Sequence, residues 1–271
     1  MGQIRCPGPM ENIPDPSDVY SRSKAEGRRR LGMPTLEMIS NGFIAGITIV
    51  FGVVALGIVE ADIEPAFGPG PAALAGALAF GTGLIFVVVG RTELFSENFL
   101  DPVAATLADP RADRWLALGK LWALVLVFNL LGGVVMAAVF VVPGALPEGA
   151  PEALARAGED LAGKSGWATF ARGIAAGTLI ALLSFLLNAV NSMGSRAALA
   201  YTVGVFLALG PFDHVVVSAL HLLMGQWFGG EIQPSDIASN IFIAGAANIL
   251  GGVLLMTLTH LVQQVGAKQR D

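Results

Sequence analysis

Charged side chains are scarce in this sequence, and their scarcity decides the class of protein. Asp, Glu, Lys and Arg make up 14% of the 271 residues, whereas soluble domains carry about 25%. Six apolar stretches stand out, at 38–59, 72–90, 115–142, 167–190, 197–224 and 237–262. Each is close to or above the ~20 residues that a helix needs to cross ~30 Å of hydrocarbon. The sequence therefore predicts an all-α membrane protein with six transmembrane helices. A soluble all-helical core is a remote alternative.

Several kinds of reactive site are also missing. Cys6 is the single cysteine, which excludes an internal disulfide. No serine lies in a G-x-S-x-G turn of the kind that carries a hydrolase nucleophile. The acids and histidines lack an established metal-ligand spacing. We therefore expect no enzyme, metal or cofactor, and the net charge of −5 does not suggest binding to nucleic acid.

The first 35 residues are polar and contain no apolar segment of the kind found in cleavable signal peptides. We expect residues 1–35 to form a basic cytoplasmic tail that is disordered or lies on the surface, with partner binding as one role. Cytoplasmic loops carry an excess of Lys and Arg. With six spans, most basic residues fall on one side: Arg22, Lys24, Arg28, Arg29, Arg30, Arg111, Arg114, Lys120, Arg196, Lys268 and Arg270. This predicts a multi-pass protein of a bacterial inner membrane, with the N-terminus and the C-terminal tail (265–271) in the cytoplasm.

The second half of the sequence echoes the first. "FNLLGGVVM" begins at Phe128 and "ANILGGVLLM" at Ala247, while "GFIAG" from Gly42 is weakly echoed by "GIAAG" from Gly173. We interpret the channel domain (36–264) as two three-helix units, at about 36–142 and 166–264. Because each unit has an odd number of spans, the second enters the membrane from the opposite side, as in transporters with inverted repeats. The alternative is chance similarity between glycine-rich membrane helices.

The second and fifth predicted spans are interrupted at corresponding places. "VVVGRTELFSEN" covers 87–98 and "LALGPFDHVVVS" covers 207–218, which aligns Glu93 with Asp213. Irregular backbone at membrane depth persists only where protein or water satisfies its polar groups. Paired interruptions of this kind indicate a transport site. We therefore predict that Asp213 and His214 lie beside a transport pathway and do not face lipid.

The residues around these interruptions suggest how the pathway is built. His214 and Ser218 are four residues apart and share one face of a helix. Ser96 is placed to bond His214 across the interruptions. Leu94 and Phe95 are candidates for a hydrophobic constriction, which admits neutral species more easily than ions. Ordinary core packing is the alternative for both.

Charges at the first interruption need partners, because a lone charge at membrane depth is expensive. We predict that Arg91 pairs with Glu93, Glu97 or Asp213 and holds the shape of the loop. The alternative is that Arg91 reaches an aqueous vestibule. The role of His221 stays open between the shared face with His214 and a contact with the lipid interface or another subunit.

The segments "ELFSEN", "GPFDHVVVS", "ANILGG" and the closing "TLTHLVQQ" together resemble the formate/nitrite transporter family, in particular its YfdC-like branch. The resemblance covers about 36–262. It implies an aquaporin-like pentamer with a pore through each protomer, in which the loops at about 90–100 and 209–214 face each other. The family's central histidine corresponds to His214, and the loop threonine that bonds it corresponds to Ser96. The implied constriction consists of Phe80, Leu84, Leu94, Phe95 and Leu207.

This sequence also departs from the family's pattern. Pro211 interrupts the usual loop, and Ser218 stands where an asparagine is typical. The family's basic residue at the outer end of the fourth span has no aligned match, and Lys164 and Arg172 are the nearby candidates. Glu97 adds an acid beside the loop. These departures bear on selectivity for formate or nitrite and leave the channel fold unaffected.

The resulting hypothesis is a pentameric inner-membrane channel for small monovalent anions of weak acids, or for their neutral protonated forms. The vestibules attract the anion, which crosses as a neutral molecule because a bare ion would lose its hydration between apolar rings. Two alternatives stay open. One is a pore for neutral solutes such as water, ammonia or hydrogen sulfide, which unpaired acids at Glu93, Glu97 and Asp213 would favour. The other is a closed-pore scaffold or sensor whose basic tail binds a partner.

Overall fold

The computed structural model describes residues 14–267, and every regular element in that range is helical. The α-helices are α1 (Pro16–Leu31), α2 (Thr35–Phe67), α3 (Pro69–Val89), α4 (Asp101–Ala108), α5 (Ala112–Phe140), α6 (Ala150–Ala162), α7 (Gly166–Ala189), α8 (Met193–Leu209), α9 (Val215–Trp227), α10 (Pro234–Leu250) and α11 (Leu258–Ala267). A 3-10 turn, Phe95–Asn98, precedes α4, and a π-helical segment, Gly251–Thr257, joins α10 to α11. The predicted all-α class is confirmed.

Five segments in the described part of the chain are long and apolar enough to cross a bilayer: α2, α3, α5, α7 and the continuous run from α10 into α11. The remaining predicted span is present as two shorter apolar helices, α8 and α9. Their 17 and 13 residues correspond to about 26 and about 20 Å of helix. The fold therefore has six spans, with the fifth broken between α8 and α9 and the second broken after α3, as the sequence predicted.

The two halves of the fold use the same close contact between helices. A Cβ atom on Gly46 of α2 would lie 2.1 Å from the carbonyl oxygen of Asn129 in α5. A Cβ atom on Gly177 of α7 would lie 2.0 Å from the carbonyl oxygen of Asn248 in α10. Only glycine permits such close approach of two backbones, which is how small residues drive helix packing in lipid. The matching contacts confirm the inverted repeat.

The halves meet where α3 crosses α8. A Cβ atom on Gly204 of α8 would lie 2.9 Å from the Cα of Gly81 in α3 and 3.1 Å from the Cβ of Leu84. Because α3 and α8 are the first parts of the two broken spans, their contact brings both interruptions to the junction between the repeats.

Residues 16–31 of the predicted tail form helix α1, which packs on the surface of the protomer, as one of the two predicted states required. Four of its residues are buried, among them Tyr20 and Gly27. The helix lies across α4, and a Cβ atom on Gly27 would fall 1.9 Å from the carbonyl oxygen of Asp101. Residues 1–13 of the predicted tail, and 268–271 at the other end, lie outside the described residues.

Helix α6 occupies the equivalent place in the second half. A Cβ atom on Gly158 of α6 would lie 2.9 Å from the carbonyl oxygen of His221 and 3.0 Å from the Cα of Gly225, both in α9. Three pairs of glycines are separated by the same number of residues in the sequence: Gly27 and Gly158, Gly42 and Gly173, and Gly46 and Gly177. Each repeat is therefore a surface helix, a span, a broken span and a further span. We call the two ends of the protomer the α1 face and the α6 face.

Candidate functional site

The chain leaves helical geometry twice at the junction of the repeats. The first break comprises residues 90–100, between α3 and α4, and the second comprises 210–214, between α8 and α9. Residues 92–100 of the first break are buried, and so are Asp213 and His214 of the second. Buried backbone N–H and C=O groups need hydrogen-bond partners, and those outside a helix must find them on side chains or water. In this protein the neighbouring helices supply the side chains.

Asn129 of α5 holds the first break. Its Nδ2 donates to the carbonyl oxygens of Gly42 at 2.8 Å and Glu93 at 2.9 Å. Its Oδ1 accepts from the backbone N–H of Phe95 at 2.8 Å. One fully buried amide thus ties a break to two spans and satisfies three backbone groups.

Asn248 of α10 holds the second break in the same way. Its Nδ2 donates to the carbonyl oxygens of Gly173 at 2.8 Å and Asp213 at 2.9 Å. Its Oδ1 accepts from the backbone N–H of Val215 at 2.9 Å. Every partner is the repeat counterpart of a partner of Asn129, so the two breaks are built to one plan.

The longer first break needs further donors for its carbonyl groups. Trp122 Nε1 donates to Asn98 O at 3.0 Å, and Thr257 Oγ1 lies 2.7 Å from Phe99 O. Thr257 ends the π-helical segment, and π-helical turns often occur at functional sites. A Cβ atom on Gly252, in the same segment, would lie 2.7 Å from the ring of Phe99. The irregular turn between α10 and α11 therefore makes room for the first break.

Ser96 and His214 join the two breaks. Ser96 Oγ and His214 Nε2 form a hydrogen bond, and both residues are buried. The other ring nitrogen, Nδ1, accepts from the backbone N–H of Val217 at 3.4 Å and so caps the N-terminus of α9. A neutral imidazole carries one proton on one of its two nitrogens. Because Nδ1 accepts a hydrogen bond, we assign the proton to Nε2, which then donates to Ser96 Oγ. The hydroxyl proton of Ser96 is then free to point at a third group.

The acid of the first break is held by two arginines of α1. Glu93, 2% exposed, places Oε1 3.2 Å from Arg29 Nη2 and Oε2 3.2 Å from Arg30 Nη1. Both arginines also contact Glu26 on α1 itself. Burial alone would raise the pKa of Glu26, but the two guanidinium groups outweigh it and hold the pKa at about 2. The carboxylates of Glu26 and Glu93 therefore share the same two cations.

The acid of the second break has an equivalent pair of cations. Asp213 Oδ1 lies 2.8 Å from Lys164 Nζ, in the loop after α6, and 3.5 Å from Arg172 Nε in α7. Burial lowers the pKa of Lys164, although Asp213 acts to raise it. These are the two residues that the sequence offered as substitutes for the family's basic residue. Both acids that align between the breaks are thus neutralised from outside the break.

The prediction that Arg91 pairs with an acid of the breaks is wrong. Arg91 is exposed and forms no ion pair or side-chain hydrogen bond with any residue between 14 and 267. Its φ is 55°, a left-handed conformation that costs a residue with a side chain roughly 1–2 kcal/mol. Glu97 is buried, and its Oε2 accepts from the backbone N–H of Leu94 at 3.2 Å. The cation beside Glu97 is Arg30, and Arg30 Nη1 donates to the backbone carbonyl oxygen of Glu97 at 2.9 Å.

Ser218 and His221 lie apart from the contact between the breaks. Ser218 Oγ is 2.7 Å from Asn240 Oδ1 and 2.9 Å from His214 O, so this hydroxyl faces α10. His221 Nδ1 donates to the carbonyl oxygen of Val217 at 3.0 Å. His221 is 8% exposed, and its carbonyl oxygen lies where α9 packs against Gly158 of α6; its role stays open.

The five residues implied as a constriction are all buried within the protomer, between 0% and 5% exposed: Phe80, Leu84, Leu94, Phe95 and Leu207. The ring of Phe95 packs edge-on against Phe99, with centroids 4.9 Å apart, and against Trp122 at 6.3 Å. Burial of this kind is common to a closed constriction and to core packing. Their role in a constriction stays a prediction.

A cavity of about 270 Å³ opens on the α1 face, between α1, the first break and the adjoining ends of α7 and α8. We call it the α1 vestibule. Four acids and four arginines line it, so their formal charges cancel: Glu26, Glu93, Glu97, Asp101, Arg29, Arg30, Arg91 and Arg196. Within 14–267, no three His, Cys, Asp or Glu side chains are grouped to hold a metal ion.

The sequence analysis did not predict that Arg29 and Arg30 bind Glu93. It used them only as basic residues that indicate the orientation in the membrane. It also matched Asn129 with Asn248 without assigning either of them a role. One signal was present in the sequence: Gly27 and Gly158 share the spacing of the other paired glycines, which places α1 inside the repeat.

Comparisons with known proteins agree with this geometry. The family described as "Formate/nitrite transporter" matches residues 17–262. An inner membrane protein of Escherichia coli K12, YfdC, is 25% identical over 246 residues, which cover 90% of this chain and 77% of the relative. A probable formate transporter of Methanothermobacter thermautotrophicus is 27% identical over 263 residues, covering 90% of this chain and 95% of the relative.

Two solved structures share the fold. An FNT family ion channel superposes with a TM-score of 0.77 at 17% identity, covering 91% of this chain and 99% of that one. A pentameric formate channel with formate bound superposes with a TM-score of 0.73 at 19% identity, covering 85% and 98%.

Proposed function

Because the chain belongs to the formate/nitrite transporter family, we propose that it passes small monovalent anions of weak acids, such as formate or nitrite, or their protonated forms, through a pore in each protomer. The observation that carries this proposal is the bond between Ser96 and His214, which joins two broken helices at the junction of the repeats. A relative is described as a probable formate transporter, which supports formate as a first candidate.

Pairing of the acids favours an anion over a cation or a purely neutral solute. Unpaired carboxylates at Glu93 and Asp213 would repel an anion. Glu93 contacts two arginines, and Asp213 contacts a lysine and an arginine. An approaching anion therefore meets acids whose charge is already compensated.

The contact with the permeant falls to Ser96 in this proposal, and the hydrogen-bond pattern supports it. His214 donates through Nε2 to Ser96 Oγ, which leaves the hydroxyl proton of Ser96 for an anion oxygen. His214 then orients this donor and keeps α9 capped. The buried apolar residues beside this contact penalise a bare ion, so the permeant crosses in its protonated form.

The same proposal includes assembly and orientation. A solved relative of the same fold is a pentamer, and we propose a pentamer here. The basic residues of α1 and of the loop between α4 and α5 lie on the α1 face, so the excess of Lys and Arg assigns this face to the cytoplasm. Mass measurement of the purified protein tests the pentamer, and a monomer or trimer contradicts it.

Flux into proteoliposomes tests the function. Formate, nitrite, hydrosulfide and water are compared for wild type, Ser96→Ala, His214→Asn and His214→Phe between about pH 5 and 8. We expect formate and nitrite flux in wild type, a different pH profile for His214→Asn, and blocked polar permeants for His214→Phe. Ser96→Thr keeps a hydroxyl and is the matched control for Ser96→Ala. Identical pH profiles for wild type and His214→Asn remove His214 from the mechanism.

Two other outcomes identify the alternatives. Water or ammonia flux without anion flux indicates a pore for neutral solutes. An intact oligomer that passes none of the solutes indicates a closed-pore scaffold or sensor.

A further inference from the structure

Arg91 has an unusual backbone for a residue with a side chain. It is the single non-glycine residue in 14–267 with a positive φ. It is the second residue of the first break, after Gly90, and it lines the α1 vestibule. Strained backbone of this type concentrates at binding and active sites, where the surrounding structure keeps a side chain in a required place.

The guanidinium of Arg91 is available for a ligand. The acids nearest to α1 are occupied by Arg29 and Arg30. Asp101 also accepts from Asn188 Nδ2 at 2.9 Å. Arg91 itself has no ion pair and no side-chain hydrogen bond within the described part of the chain.

Arg196 supplies a second cation to the same cavity. It is half-buried at the start of α8, and its Nη1 donates to Leu187 O at 2.8 Å, which fixes the side chain at the C-terminal end of α7. No carboxylate within 14–267 lies within ion-pair distance of it. The vestibule therefore holds two arginines, Arg91 and Arg196, that form no ion pair with any residue in 14–267.

We infer that Arg91, supported by Arg196, forms a capture site for a small carboxylate or similar oxyanion in the α1 vestibule. This inference rests on the proposed function. The planar guanidinium of Arg91 presents two parallel N–H groups, which match the two oxygens of a carboxylate. The vestibule of about 270 Å³ is several times larger than the ~30 Å³ that one water molecule occupies in the liquid, so an anion of the size of formate enters with part of its hydration shell. The anion is concentrated there before it reaches Ser96.

Formate flux into inverted and right-side-out membrane vesicles tests the site. We expect Arg91→Gln to raise the half-saturating formate concentration about tenfold from the α1 face, the factor that corresponds to about 1.4 kcal/mol, with little change from the α6 face. Arg91→Lys keeps the charge without the fork and should recover part of the loss. Arg91→Gly should lose capture while remaining at least as stable as wild type, because glycine adopts a positive φ without strain.

Arg111→Gln is the matched control. Arg111 is an exposed arginine on the same face, and its ion pairs with Asp109 and Asp113 leave it outside the vestibule. If Arg111→Gln shifts the half-saturating concentration as much as Arg91→Gln, the effect is general surface potential and the site is refuted. Equal saturation curves for wild type, Arg91→Gln and Arg91→Gly refute it too.

A binding measurement separates this site from the proposed function. Line broadening of ¹³C-formate in NMR by the detergent-solubilised protein should be reduced by Arg91→Gln and by Arg91→Gly, and not by Arg111→Gln. If wild type shows no flux but this pattern holds, the capture site stands and the conduction proposal fails. If formate broadening is the same for wild type and Arg91→Gln, the capture site fails whatever the flux.

Discussion

Replacing Asn129 by leucine should dismantle the first break. The two side chains are similar in size, but leucine offers no hydrogen bond to Gly42 O, Glu93 O or Phe95 N, which lie 2.8–2.9 Å from the amide. A buried polar group that loses its partner costs about 1–3 kcal/mol. Three such groups sum to about 3–9 kcal/mol, a large part of the ~5–15 kcal/mol that stabilises an ordinary domain. Asn248→Leu should cost a similar amount, because its three bonds are the repeat counterparts.

The assay is thermal stability of the detergent-solubilised protein, followed by size-exclusion chromatography after heating. Asn41→Leu is the matched control, since Asn41 in α2 is partly buried and its side-chain amide has one hydrogen-bond partner within 14–267, the sulfur of Met33 at 3.8 Å. We expect the two junction variants to lose their size-exclusion peak at much lower temperature and the control to behave like wild type. Asn129→Leu with the stability of Asn41→Leu would refute the idea that this amide carries the break.

Three further predictions concern the surface helices and the cations at the second break. Gly27→Ala should displace α1, because the alanine Cβ would lie 1.9 Å from a carbonyl oxygen of α4. Gly119→Ala is the control, because a Cβ there would meet nothing within 4 Å. Protease resistance is the measurement, and equal resistance of the two variants contradicts the packing of α1. Arg29 and Arg30, on the same helix, hold the pKa of Glu26 at about 2, so its contribution to stability is complete above its ordinary value of about 4.5 and is lost as pH falls towards 2. The melting temperature should fall more over that interval in wild type than in Glu26→Gln, and equal falls contradict this. Asp213→Asn leaves Lys164 without its carboxylate partner and should lower the melting temperature, while the double variant Asp213→Asn with Lys164→Gln should recover part of the loss; no recovery would mean that the ion pair is not the cause.

Prediction from the sequence succeeded for features that a contiguous stretch of residues determines. Six apolar stretches gave the spans, and the resemblance to the formate/nitrite transporter family is confirmed. The aligned interruptions located both breaks. The structure joins Ser96 to His214, as expected from their places in the two loops.

Prediction failed where the partner of a charge lies on another helix. Arg91 is adjacent in sequence to the acids of the first break, and this adjacency suggested the wrong pair. Arg29 and Arg30 lie more than 60 residues away from Glu93 in the chain and reach it only because Gly27 allows α1 to touch α4. The polarity of α1 concealed this contact, since the burial of four residues leaves little trace in hydropathy.

Among the contacts that hold the two breaks, one on each face lies next to the bond between Ser96 and His214 at the centre. On the α1 face, Arg30 bonds the carbonyl oxygen of Glu97, the neighbour of Ser96. On the α6 face, Lys164 bonds Asp213, the neighbour of His214. Each cation comes from a surface helix or the loop that follows it, so each face of the protomer is bonded to the residue next to one partner of the central bond. Arg30 also lines the α1 vestibule, so an oxyanion bound there would lie in the same cavity as the cation that bonds Glu97.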